Sequence, residues 1–181
     1  MNWQPYPQAL ALLLSALIST IVGLYAWRRR PATGTTSLAI AMFAAAQWSL
    51  AYALELVSPG LAVKAFWAQV QYFGIVTVSP ALLLFVVEYA GRASWINGRS
   101  LAALAAIPIL TLVLVWTNDA HGLIWSGISI SNSGGYPALS LEHGSFFGLF
   151  AIYAYGCLLF ASWLMVRDLL RGQRIFRAQV G

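Results

Sequence analysis

Residues 67–92 form one uninterrupted run, WAQVQYFGIVTVSPALLLFVVEYAGR, with no charged side chain before Glu88. An α-helix rises 1.5 Å per residue, so a run of this length extends about 39 Å and exceeds a hydrocarbon core of about 30 Å. A helix of a soluble domain keeps a polar face along its length, which this run lacks. We therefore predict that it is the central spanning helix of a membrane bundle.

Two local features of this run predict its shape. Pro80 has no backbone N–H and leaves the carbonyl of Val76 without its helical donor, which predicts a helix kink. Glu88 lies four residues before Arg92, the favourable order for an ion pair on one helix. We expect the Glu88–Arg92 pair to be structural and to lie at the membrane interface.

The composition supports a membrane protein and argues against other classes. Hydrophobic residues make up 60% of the chain and charged residues 8%, whereas charged residues are about 25% of ordinary soluble domains. The net charge of +5 does not indicate a nucleic-acid partner, because the basic residues lie at the ends of apolar segments. The single Cys157 excludes a disulfide within the chain.

The hydropathy pattern predicts an all-α fold, a polytopic membrane helix bundle in one domain that covers 1–181. The five transmembrane helices are expected at about 8–27, 37–57, 65–91, 100–116 and 145–166. A polar loop, 117–144, separates the last two. Within it the sequence IWSGISIS alternates between apolar and small polar residues, which predicts a short strand or hairpin.

Lysine and arginine positions predict the topology. With the N-terminus outside, nine of the ten basic residues lie on the cytoplasmic side and only Lys64 lies outside. The nine are Arg28, Arg29, Arg30, Arg92, Arg99, Arg167, Arg171, Arg174 and Arg177. The positive-inside rule therefore predicts a multi-pass protein of the inner (cytoplasmic) membrane, with loop 117–144 extracytoplasmic.

Glu55 is the first candidate for a functional carboxylate. A charge within a span costs several kcal/mol unless it is paired or reaches the interface. The connection to the third helix is short, so Glu55 is expected to lie near Trp67, Gln71 and Tyr72 and to line one outward-facing pocket with them. The alternative is structural: Glu55 reaches the interface or meets Lys64 across the short connection.

Polar residues at the two ends of loop 117–144 form a second candidate group. They are Asn118, Asp119, His121, Glu142 and His143. Their scattered spacing and the absence of an HExxH sequence argue against a metal site. We expect Asn118 and His121 to hydrogen-bond the loop onto the bundle and, with Trp125, to be candidates for contact with a ligand. No cofactor and no catalytic residue is predicted, since Walker and GxSxG sequences are absent.

Several stretches together resemble a known family. They are AAAQWSLAYALELVSP (44–59), KAFWAQVQYFGIVTVSPALLLFVVEYAGR (64–92), TNDAHGLIW (117–125), HGSFFGLFAIYAYG (143–156) and the trailing RGQRIFRAQV. In order and spacing they resemble the seven-transmembrane N-terminal sensor region of bacterial histidine kinases and some diguanylate cyclases. The resemblance covers nearly the whole chain.

The resemblance implies a membrane receptor for signal transduction, an input domain that detects an extracytoplasmic or membrane-borne ligand. It relays the signal to a cytoplasmic kinase or cyclase module, as in a two-component system, and is not itself an enzyme. The residues at the family's polar and aromatic landmarks are Glu55, Trp67, Gln71, Tyr72, Pro80, Asn118, His121 and Trp125. The expected partners are the lipid bilayer, a small or lipid-like ligand and the signalling module.

Family members have two further helices after the segment that matches 171–180, whereas this sequence stops at Gly181. We therefore expect a bundle without the last two helices of a seven-helix family, either as a fragment or as a five-helix form completed by a partner. The alternative function is a membrane scaffold without a ligand, assembled with another chain or as a homodimer. Its contacts would use Ala41/Ala45 and Gly144/Gly148, whose spacing allows helices to approach closely.

Overall fold

The computed structural model of the chain describes residues 7–30, 32–131 and 138–179, with side chains described as far as Leu170. The predicted roles of Arg171, Arg174, Arg177 and Gly181 lie outside the described side chains. Within the described part, five helices are long and apolar enough to cross a membrane, which confirms the predicted all-α polytopic bundle.

The helices are α1 (Pro7–Arg28), α2 (Thr35–Val57), α3 (Leu61–Tyr89), α4 (Gly98–Trp116) and α5 (Ser145–Gln179). α3 begins four residues before the predicted start, and α5 continues thirteen residues beyond the predicted end at 166. Both α3 and α4 run without interruption through a proline, Pro80 and Pro108 respectively. A kink at Pro80 stays a prediction.

A β-hairpin joins α4 to α5, as the alternation in IWSGISIS predicted. Strand β1 (Trp125–Ser131) pairs antiparallel with β2 (Ala138–His143), and Trp125 lies opposite His143. The hairpin lies beside the C-terminal ends of α2 and α4 and the N-terminal ends of α3 and α5. We call this end of the bundle the hairpin end, and the opposite end, with the α1–α2 and α3–α4 connections, the basic end.

Helix ends follow local sequence signals. Gly60, in the Ser58-Pro59-Gly60 breaker between α2 and α3, has a φ of 75°, a left-handed conformation that other residues rarely adopt. Asn97 caps α4, because its Oδ1 accepts hydrogen bonds from the backbone N–H groups of Arg99 and Ser100, each at 3.0 Å. The Ser100 hydroxyl returns a contact by accepting from the Asn97 N–H at 2.9 Å, which completes a capping box.

Small residues allow the first three helices to pack closely. Ala9, Ala16 and Gly23 recur every seven residues on the buried face of α1, and a Cβ on Gly23 would meet the Phe43 ring of α2 at 3.0 Å. α3 then packs against α2 on one side and against α4 and α5 on the other. α3 is therefore the central helix of the described bundle, as its sequence predicted.

Two of the four small residues expected to contact another chain are used within this one. Ala41 is fully buried, and a Cβ on Gly144 would collide with the backbone of Gly122 and Leu123. Gly148 has open space around its Cα. Two of the four predicted contact positions, Ala45 and Gly148, remain, and the scaffold alternative stays a prediction.

Candidate ligand-binding site

The carboxylate of Glu55 is buried at the hairpin end and bonds to an amide of the next helix. Glu55 lies in the last turn of α2 and is 5% exposed. The side-chain N–H of Gln71, on α3, donates a short hydrogen bond to Glu55 Oε2. Because a buried carboxylate is costly unless it is hydrogen-bonded, this bond ties α2 to α3 at one defined register.

Lys64 is buried beside this pair, which the sequence did not predict. The sequence placed Lys64 at the interface before the third helix, whereas it lies in the first turn of α3 and is 1% exposed. Its ammonium donates to the main-chain carbonyls of Glu55 and Leu56, at 2.8 and 3.0 Å. A cation at these last-turn carbonyls is favourable, since they form the negative end of the helix dipole of α2.

Tyr72 packs α3 against the hairpin. It follows Gln71 on α3, is buried, and packs edge-on against the indole of Trp125 with ring centroids 5.5 Å apart. The Phe150 ring of α5 lies 6.3 Å away on its other side. Trp125 is also buried, and its indole N–H has no hydrogen-bond partner in the described part of the chain. Three elements, α3, β1 and α5, therefore meet in one aromatic cluster.

Asn118 fixes the position of Trp125. Its side-chain oxygen accepts from the N–H groups of Ile124 and Trp125, each at 3.0 Å, and its amide donates to the Trp125 carbonyl at 3.0 Å. Asn118 is itself buried. These three bonds lie within loop 117–144, and a contact of Asn118 with a ligand stays a prediction.

The two remaining candidates lie at the margin of the site. His121 is exposed, contacts the Thr117 hydroxyl at 3.0 Å through Nε2, and accepts from the Leu123 N–H at 3.1 Å through Nδ1. These bonds fix the loop and do not reach Glu55. Trp67 is half-buried one turn before Gln71, with its ring edge-on to Phe66 at 5.4 Å. The structure thus shows two groups, Glu55 with Gln71 and Tyr72 with Trp125 and Asn118, and His121 and Trp67 lie outside both.

At the basic end the structure corrects the predicted Glu88–Arg92 ion pair. Arg92 instead pairs with Asp168 of α5, with its two terminal nitrogens 2.7 and 2.8 Å from the two carboxylate oxygens. Arg92 has left the helix at Tyr89, so the i, i+4 geometry that the prediction required does not exist. Glu88 Oε2 is buried without a hydrogen-bond partner.

The Asp168 carboxylate affects the charge of its partner as well. Its hydrogen bonds raise the pKa of the Arg92 guanidinium above its ordinary value. A pKa that is higher in the folded than in the unfolded protein stabilises the fold. This stabilisation is fully present below the unfolded pKa and is lost only as the pH rises through the folded pKa. Arg92 therefore stays charged at every pH at which the bundle is expected to fold.

The donor set of the site favours hydrogen bonding over metal binding. Within the described residues, no three His, Cys, Asp or Glu side chains gather to hold an ion. The gathered groups are one carboxylate, two amides, a phenol and an indole. This arrangement suits a ligand with a hydrogen-bonding group and an apolar or aromatic body.

These features define the class of the chain: an α-helical membrane domain with buried aromatic and hydrogen-bonded side chains at one end of its bundle. Comparison with protein families identifies the particular one. The family described as the N-terminal 7TM region of histidine kinase matches residues 11–181, and the chain belongs to this family. It is a membrane input region of histidine kinases, distinct from their catalytic module. Neither the curated proteins nor the solved structures contain a match to the chain.

Proposed function

We propose that this region detects a small or lipid-like ligand at the hairpin end and passes the signal along α3 to a cytoplasmic module. The observation that carries the proposal is the Glu55–Gln71 hydrogen bond between α2 and α3. A ligand that donates to the Glu55 carboxylate would compete with Gln71 for it. Such a ligand shifts the packing equilibrium by the difference in its affinity for the two arrangements.

A path from this site to the basic end exists in α3 itself. α3 carries Gln71 and Tyr72 near one end, and Arg92 follows its other end, bonded to Asp168 of α5. α5 runs on to Gln179. A small shift of α3 against α2 would therefore be transmitted to α5 at the basic end, the side of the membrane on which the output module is expected.

The orientation that this function requires places the hairpin outside and the basic end in the cytoplasm. Six described arginines lie at the basic end, whereas Lys64 is the one described basic residue at the hairpin end. The membrane orientation is tested with two variants, Ser126→Cys on the hairpin and Ser94→Cys in the α3–α4 connection, both in a Cys157→Ser background. A membrane-impermeant maleimide should label intact cells at residue 126 and label residue 94 only after permeabilisation. The reverse pattern would invert the topology.

The functional test measures autophosphorylation of the kinase that carries this region, in native membranes. Glu55→Gln weakens the α2–α3 bond by removing the negative charge of the acceptor, and Gln71→Leu removes the donor, so both should change basal activity in the same direction. Glu142→Gln is the matched control, because it makes the same chemical change on an exposed hairpin side chain and should have no effect. If all three variants match the parent in activity and in membrane abundance, the proposed site is wrong.

A further inference from the structure

A groove of about 230 Å³ lies between α2, α3 and α4, toward the basic end. It exists because α2 and α4 each pack on α3, while small residues there, Ala81 on α3 and Ala105 on α4, leave the space between them unfilled. Pro80 and Pro108 also line it, one from each of the two helices. At its rim, Ile40 and Leu101 are 44% and 42% exposed, so the groove opens toward the surrounding bilayer.

The lining selects an apolar occupant. Two hydroxyl residues, Ser37 and Thr77, contribute to it, and the Thr77 hydroxyl already donates to the carbonyl of Phe73 at 2.7 Å. The other lining side chains are aliphatic or proline. Since an apolar cavity of about 150 Å³ holds a benzene molecule, the groove has room for a segment of one hydrocarbon chain.

The charge around the open end favours an anionic head group. The described arginines at the basic end are Arg28, Arg29, Arg30, Arg92, Arg99 and Arg167, against the two acidic residues Glu88 and Asp168. Arg99 lies in the first turn of α4, two residues before the rim residue Leu101. Gly34, at the start of α2, has no side chain to cap the first N–H groups of that helix. Basic side chains at this depth attract acidic lipids.

We propose that this groove binds one acyl chain of an anionic phospholipid, whose head group lies against Arg99 and the start of α2. The site is separate from the Glu55–Gln71 pair, which lies at the other end of α3. The bound acyl chain lies between Pro80 of α3 and Pro108 of α4. Its presence in the groove therefore stabilises the packing of these two helices. The bilayer composition thereby becomes a second input to the same helix.

The test uses the purified chain in nanodiscs that contain a phosphatidylglycerol with a photoactivatable diazirine near the middle of one acyl chain. After irradiation, mass spectrometry locates the labelled peptides. Labelling should concentrate on α2, α3 and α4 around the groove. It should be competed by unlabelled phosphatidylglycerol more effectively than by phosphatidylcholine.

A pair of neighbouring variants provides the control. Ala105→Phe fills the groove and should remove the concentrated labelling, whereas Ala106→Phe makes the same change on an exposed position of α4 and should leave it intact. Arg99→Gln should lower labelling by the anionic probe about fivefold, the equivalent of about 1 kcal/mol for one basic side chain at the surface.

The competition experiment needs no variant and keeps the proposal open to refutation if Ala105→Phe fails to fold. Equal competition by the two lipids, or labelling spread evenly over all lipid-facing helices, would overturn the proposal. Unchanged labelling in a folded Ala105→Phe protein would overturn it as well. None of these readouts uses kinase activity, so they are independent of the Glu55–Gln71 site.

Discussion

Arg92 and Asp168, which are 76 residues apart, form a two-point ion pair that joins the end of α3 to α5. Both side chains are partly buried, at 17% and 32% exposed. The guanidinium of Arg92 also lies 5.5 Å from the centre of the Trp95 ring. This pair connects two helices that otherwise meet along apolar surfaces.

The first prediction concerns the coupling of these two residues. Arg92→Gln and Asp168→Asn should each lower the Tm of the protein in detergent, because each removes one of the two charges of the two-point pair that joins α3 to α5. The Tm of the double variant should be no lower than that of the less stable single variant, because either single change already removes the Arg92–Asp168 ion pair.

Comparison of the two single variants also separates the ion pair from the contact of Arg92 with Trp95, because Asp168→Asn leaves that contact intact. Arg28→Gln, on an exposed arginine of the same end, should leave the Tm unchanged. Additive losses in the double variant would mean that the two residues stabilise the bundle independently.

The second prediction concerns Gly74, where α2 and α3 approach most closely. A Cβ on Gly74 would lie within 3.0 Å of the Ala44 carbonyl, of Gln47 Oε1 and of Trp48 Cβ. The Gln47 amide is held in place by its hydrogen bond to the Val70 carbonyl at 2.8 Å, so it cannot move aside without loss. Gly74→Ala should therefore destabilise the bundle by about 1–3 kcal/mol, the usual cost of overpacking.

Gly156→Ala is the matched control, because it lies within α5 with no atom near the added Cβ. Unfolding in detergent should leave this variant as stable as the parent or slightly more stable, since alanine favours a helix. Equal effects of the two variants would show that the α2–α3 contact is looser than the structure indicates.

Most of the architecture was predictable, because hydrophobic length and arginine position are properties of the sequence alone. The five helices and the hairpin follow from these patterns. The burial of Lys64 did not, since a lysine near a short turn normally faces water. Its partners are main-chain carbonyls, which carry no sequence signal, and its burial depends on how α2 ends beside it.

The Arg92 partner was missed for a related reason. The pattern offered Glu88 at helical spacing, but a local rule applies only while the helix continues, and α3 ends at Tyr89. Asp168 lies in another helix, so only the packing of α3 on α5 identifies it. The same holds for the Glu55–Gln71 contact, where the sequence predicted proximity and left the bond itself open.

The third prediction concerns Asn118, whose side chain makes three hydrogen bonds to the start of β1. Asn118→Ala removes all three, each worth about 1 kcal/mol. Asn118→Asp keeps the acceptor oxygen and loses the donor to the Trp125 carbonyl. Hydrogen exchange of the peptide that covers residues 117–131 should therefore be fastest in the alanine variant and intermediate in the aspartate variant.

Ser129→Ala, an exposed change in β1, serves as its control and should leave exchange unchanged. If the alanine and aspartate variants exchange at the rate of the parent, the hairpin is held by the aromatic cluster around Trp125 and not by Asn118.

The last prediction concerns a proline and a tyrosine on neighbouring helices. Pro108 in α4 has no N–H, so the carbonyl of Leu104, four residues earlier, lacks its helical donor. The hydroxyl of Tyr153 on α5 donates to that carbonyl at 2.6 Å. The tyrosine therefore satisfies an acceptor that the proline has left free, and this bond ties α4 to α5, which make few other contacts.

Tyr153→Phe should cost about 1 kcal/mol in the parent protein, because the hydrogen bond to the Leu104 carbonyl is lost. In a Pro108→Ala background the restored N–H of residue 108 can bond to Leu104, so the same tyrosine change should cost almost nothing. Reversible unfolding of the four proteins in mixed micelles measures both differences. An equal cost of Tyr153→Phe in the two backgrounds would mean that the hydroxyl contributes through another contact, and the proline would then have no part in joining α4 to α5.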